Sequence, residues 1–209
     1  LTTDVAADPA TALLVVDLQV DFCEGGALAV AGGNALIAPV NGLAQRFRTV
    51  VLTQDWHPAD HTSFASNHAD AAPFSEITMP YGPQVLWPDH CVWDTHGAAF
   101  HPDLDIPHAR LIVRKGQHRE IDSYSAFYEN DGVTPTGLAG ALREWGIERV
   151  VLCGIATDFC VGWSALDARK HGFAATIIEP LTAAIDVDGS LDATRSAARE
   201  FGVTWSHDF

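Results

Sequence analysis

The stretch 149-RVVLCGIATDFCVGWSALDARKHG-172 contains both halves of a unit that recurs along the chain. Its first half, RVVLCGIAT, is a short β-branched-rich apolar run, which reads as a fully buried strand. Its second half, DFCVGWSALDARKHG, has a helical pattern, with Asp158 as a candidate N-cap and Gly172 at the C-terminal end. Five further runs share the strand reading: 12-ALLVVDLQ, 49-TVVLTQDWH, 110-RLIVRKG, 174-AATIIEP and 203-VTWSHD. Helical patterns lie at 34-NALIAPVNGLAQRF, 136-TGLAGALREWG and 190-SLDATRSAAREFG, with Ser190 as a second candidate N-cap. Gly146 and Gly202 close two of them. Alternation of this kind implies a parallel sheet covered on both faces.

The chain has 209 residues, enough for one domain with a buried core, and shows no repeat, low-complexity tract or linker. We expect residues 1–209 to form a single domain. Within it, 55–109 is long, without a clear period, and rich in His, Pro, Asp and Trp. A loop of that length in a compact domain is usually functional, and we expect it to build a site wall. The formal net charge of -15 argues against nucleic acid and anionic membranes as partners. No apolar run approaches the roughly 20 residues of a membrane span. The start, LTTDVAADPATA, has no signal-peptide pattern, so a cytoplasmic location is expected. There the four cysteines, Cys23, Cys91, Cys153 and Cys160, should be thiols rather than a disulfide framework. With no CxxC pair, a four-thiolate zinc site is disfavoured.

In an open α/β sheet, ligands bind beyond the carboxyl ends of the strands. The strand ends here carry Asp17, Asp55 with His57, Arg114 with Lys115, and the loop holding Cys160. Cys160 at the start of a helix would feel the positive end of the helix dipole, and free N–H groups of that turn could hold an oxyanion. Alternatively, it is a small buried apolar residue. Asp17 and Lys115 beside a thiol make a workable set, with the carboxylate as base and the ammonium keeping it oriented and ionised. Read singly, Asp17 could equally cap a loop, and Lys115 could be a solvated lysine. Asp55, His57 and His90 offer two imidazoles and a carboxylate, which suits Zn, Mn or Fe(II). With ten histidines in the chain, a D-x-H pattern also arises by chance. His61 is either a fourth ligand or a residue that holds the others, and we favour the latter. The remaining histidines read as ordinary polar positions.

Together, 15-VVDLQVDFCEGGALAV, 53-TQDWHPADHTSFASNH, 84-QVLWPDHCV, 113-VRKG and 152-LCGIATDFCV resemble the nicotinamidase/pyrazinamidase family of isochorismatase-like cysteine hydrolases. The resemblance spans most of the chain and implies a three-layer α/β/α fold with a central, mostly parallel six-stranded sheet. It implies Asp17 as general base, Lys115 as its partner and Cys160 as nucleophile. It implies a cis peptide between Ile155 and Ala156, with the Ala156 and Cys160 N–H groups forming an oxyanion hole. It places one divalent metal ion (Zn, Fe or Mn) on Asp55, His57 and His90, with His61 open. Phe22 and Trp87 would sandwich a pyridine or pyrazine carboxamide, with Ile155 also in the substrate site. The implied reaction is deamidation of nicotinamide to nicotinate and ammonia through a thioester, in NAD salvage. Hydrolysis of a different small amide or a vinyl ether, or metal binding without catalysis, are the alternatives. The metal's identity, the nicotinamide-to-pyrazinamide preference and a homo-oligomeric state are left open.

Overall fold

The computed structural model describes residues 3–208. Among them are eight strands: β1 (Thr11–Val16), β2 (Thr49–Asp55), β3 (Glu76–Met79), β4 (Gly82–Val85), β5 (Leu111–Lys115), β6 (Arg149–Ile155), β7 (Ala174–Ala183) and β8 (Thr204–Ser206). The helices are α1 (Thr3–Ala7), α2 (Gly33–Ala44), α3 (Leu138–Glu144), α4 (Gly162–Lys170) and α5 (Ser190–Glu200). Six strands form one sheet in the order β5-β2-β1-β6-β7-β8, with every neighbouring pair parallel. These six are the runs read from the sequence. β1 and β2 are buried at every position, so side chains alternating to the two faces all meet cover, as expected beneath helices on both sides. α2 and α4 both pack on β6 and β7.

Three expectations need correction. The runs at 110, 174 and 203 are not fully buried: β5 and β8 are the edge strands, Ile112 on β5 is half exposed, and β7, beside β8, alternates buried with partly exposed positions. The segment 55–109 is not devoid of regular structure, because β3 and β4 pair as an antiparallel hairpin within it. The helix starting near Asp158 begins instead with a π-turn over Thr157–Val161, and Ser190 is the first residue of α5, with Gly189 as its N-cap. Neither Asp158 nor Ser190 caps its own helix.

The strand order reverses direction between β1 and β6, the topological switch point of a doubly wound sheet. There the carboxyl ends of two adjacent strands diverge and leave a crevice, with Asp17 following β1 and the π-turn following β6. Parallel register also sets Asp55, the last residue of β2, directly beside Lys115, the last of β5. Gly154 lets β6 approach β1: its φ is +114°, and a Cβ there would lie 2.1 Å from the Val16 carbonyl oxygen. Gly154→Ala should therefore cost about 3 kcal/mol or more of stability, read by urea unfolding. A variant with the wild-type midpoint would contradict this account of the β1–β6 contact.

Candidate active site

The Lys115 side chain is wholly buried and its ammonium meets four groups. It contacts Asp17 Oδ2 at 2.9 Å and Asp55 Oδ1 more closely, donates to the Ser123 carbonyl at 2.9 Å, and lies 3.4 Å from Cys160 Sγ. Asp17, Asp55 and Cys160 each present a polar atom within 4.8 Å of the other two. Three strand ends and the turn after β6 thus converge on one cationic centre.

The two carboxylates around Lys115 differ. Burial pushes Asp55 up, but Lys115 and His57 outweigh it and hold it well below the usual range. For Asp17 burial dominates, and with the Asp55 charge nearby it raises the carboxyl despite Lys115. The reason is geometric: Asp55 takes the closer ammonium contact, leaving Asp17 as the member able to carry a proton. Burial also lowers the Lys115 ammonium, but the two carboxylates win and raise it well above normal. Thr53 donates its hydroxyl to Asp17 Oδ1 at 2.6 Å. Cys160 departs from expectation: burial, against the pull of Lys115, pushes its thiol well above an ordinary cysteine. Its resting form is the thiol, so the base has to act at the moment of attack.

Beside this centre, Nε2 of His57 and of His90 lie 3.7 and 3.8 Å from Asp55 Oδ2. Each ring presents Nδ1 to a backbone carbonyl, His57 to Gly116 at 2.9 Å and His90 to Pro88 at 2.8 Å. With Nδ1 engaged by a backbone carbonyl, each ring turns Nε2, the atom a metal would take, toward Asp55. Nε2 of His57 is buried with no hydrogen-bond partner, which suits a metal ligand. Gly116 makes room for this ring, since a Cβ there would lie 2.3 Å from it. A second grouping, His57, His61 and Asp122, overlaps the first. It is the weaker candidate, because both His61 nitrogens are engaged, Nδ1 with Ser63 Oγ at 2.7 Å and Nε2 with the Ile121 carbonyl at 3.3 Å. Burial, with His57 alongside, lowers His61 to about 4, so it is neutral near pH 7.

A narrow cavity opens onto Cys160, Ala156, Asp55, His90 and Asp122. Its apolar walls are Phe22, Leu28, Trp87, Tyr124, Phe159 and Ile185. Phe22 and Trp87 are where the sequence reading put them. Ile155, next to the cavity residue Ala156, is itself buried and does not line the cavity. The peptide between Ile155 and Ala156 is cis. The remaining wall residues escaped the sequence reading, as did the supports. Gln19 accepts from the Asp55 N–H at 2.7 Å and donates to its carbonyl at 2.8 Å. Asp21 accepts from the N–H of Cys91, next to His90, at 2.7 Å. Both stand in the V-D-x-Q-x-D-F run around Asp17, a signal that was available.

The model of the isochorismatase domain matches residues 11–208. The chain belongs to the isochorismatase family. This family member is 58% identical over 180 residues to the nicotinamidase of Acinetobacter baylyi, covering 86% of this chain and 84% of that protein. A solved structure of the Acinetobacter baumanii nicotinamidase/pyrazinamidase is 54% identical, with a TM-score of 0.94 over 95% of this chain and 96% of that one. The pyrazinamidase of Pyrococcus horikoshii, solved in complex with zinc, is 34% identical, with a TM-score of 0.78 over 96% of this chain and 100% of that one.

The free nitrogens predict the ligand set of this isochorismatase-family site. In equilibrium dialysis against Zn²⁺, His57→Ala and His90→Ala should lose the bound ion while His61→Ala retains it. Retention by the first two, or loss only in His61→Ala, would overturn the assignment.

Proposed function

We propose that this chain is a nicotinamidase/pyrazinamidase, a cysteine amidohydrolase that converts nicotinamide to nicotinate and ammonia and so serves NAD salvage. The observation that carries the reading is the buried Cys160 thiol lining an aromatic-walled cavity, 3.4 Å from Lys115 and beside a raised Asp17. The nicotinamidases among its relatives agree with it.

Asp17 removes the Cys160 proton as the sulfur attacks the carboxamide carbon. Lys115, held by both carboxylates, offsets the charge that this transfer moves onto sulfur. The Ala156 and Cys160 N–H groups, both on buried residues, hold the oxyanion. Asp17 then gives its proton to the departing ammonia, leaving a nicotinoyl thioester on Cys160. Asp17 next takes a proton from a water that attacks the thioester carbon and returns it to the Cys160 sulfur as the C–S bond breaks; the acid leaves and ionises to nicotinate. Phe22 and Trp87 orient the ring between apolar faces. Asp55, His57 and His90 would hold one divalent ion, zinc as in the Pyrococcus horikoshii protein, or iron or manganese. When bound, that ion supplies a Lewis-acidic contact for a ring nitrogen.

Cys160→Ala should abolish ammonia release from nicotinamide while calorimetry still detects nicotinamide binding. Turnover by this variant within about tenfold of wild type would remove Cys160 as nucleophile, since losing an activated nucleophile costs orders of magnitude.

A further inference from the structure

We infer that Asp158 and Ile185 act as a unit that limits the size of ring the cavity admits, with Ile185 as the wall and Asp158 as the residue that positions it. This rests on the amidase reading above. Asp158 is 2% exposed, and no cation pairs with it among the described residues. Its carboxylate instead collects three donors, two from the segment between β7 and α5 and one from the first residue of α5. The Ile185 N–H reaches Oδ1 at 3.0 Å, while the Asp186 N–H and the Ser190 hydroxyl reach Oδ2 at 2.7 and 2.5 Å. The Asp158 carbonyl accepts from Thr194 Oγ1 at 2.9 Å, tying the same turn to α5. None of these partners belongs to α4, the helix that Asp158 precedes.

The held segment needs such a clamp. Residues 184–189 have no regular structure, and Asp186 and Asp188 adopt left-handed backbones, with φ of 56° and 50°. Aspartate tolerates that conformation better than most residues, but it remains less favourable than ordinary backbone, and the bonds to Asp158 offset that cost. The residue whose N–H meets Asp158 Oδ1 is also the one that enters the cavity: Ile185 is half-buried and lines it together with Cys160. Asp158 stands two residues before that cysteine in the same π-turn. One carboxylate thus fixes the distance between the turn that carries the thiol and the wall that faces it. Cutting back an apolar wall changes selectivity between substrates differing by one carbon by tenfold or more.

The test is ammonia release from nicotinamide and from each of its four ring-methylated forms, by wild type, Ile185→Ala, Asp158→Asn and Ser190→Ala. Ile185→Ala should improve the KM of at least one methylated substrate relative to nicotinamide by about tenfold. Asp158→Asn keeps the volume but offers an NH2 where donors need an acceptor, and should relax selectivity for the same isomer. Ser190→Ala removes only the bond at the start of α5, and should lower Tm with selectivity unchanged. Wild-type ratios in Ile185→Ala for every isomer would overturn the inference, and this variant decides it if Asp158→Asn does not fold. Relaxation in Ser190→Ala equal to that in Asp158→Asn would overturn the positioning role. Failure of the amidase reading would show separately, as wild-type protein that releases no ammonia from nicotinamide.

Discussion

The rest of the site depends on one buried ammonium shared between two carboxylates. Lys115 is wholly buried, and its charge is balanced by Asp17, Asp55 and the Ser123 carbonyl. Removing either carboxylate would leave a buried charge imperfectly paired, which typically costs about 3–5 kcal/mol. The sharing is unequal. Asp55 takes the closer contact and stays ionised, free to turn its other oxygen toward His57 and His90. Asp17 is left with a raised carboxyl next to a thiol that burial has also raised. On the proposed mechanism these two chemically identical side chains take different work, one electrostatic and one in proton transfer.

The fold supplies this arrangement through register and the switch point. Asp55 and Lys115 are paired residues at the ends of adjacent parallel strands, so no loop has to position either backbone. Asp17 and the π-turn flank the gap where the strand order reverses. Around that rigid base lie irregular segments tied down by single polar side chains: Gln19 on both backbone groups of Asp55, Asp21 on the N–H next to His90, and Asp158 on the Ile185 wall.

Much of this was legible in the sequence, for a physical reason. Buried parallel strands are short runs of β-branched residues, and a charged residue directly after such a run must lie at a strand end, where ligands bind. Asp17, Lys115 and Cys160 could therefore be named as a set. The Asp55–Lys115 contact could not, because it depends on which strands are neighbours and in what register. Asp158 was misread because an aspartate ahead of a helix has the same local pattern whether it caps that helix or reaches a loop 27 residues away. Tyr124 and Ile185 lie in segments with no period, so only their three-dimensional placement makes them walls.

The division of labour around Lys115 is tested most directly by the pH dependence of kcat/KM for nicotinamide in wild type and Thr53→Val. Asp17 must be ionised to accept the thiol proton, so activity falls as pH drops through its raised pKa. The wild-type acid limb should lie above the 3.8 of an ordinary aspartate. The Thr53 hydroxyl favours the ionised form, so Thr53→Val should move that limb to still higher pH. An acid limb at the ordinary aspartate value, or one that Thr53→Val leaves in place, would contradict the assignment of Asp17 as the base.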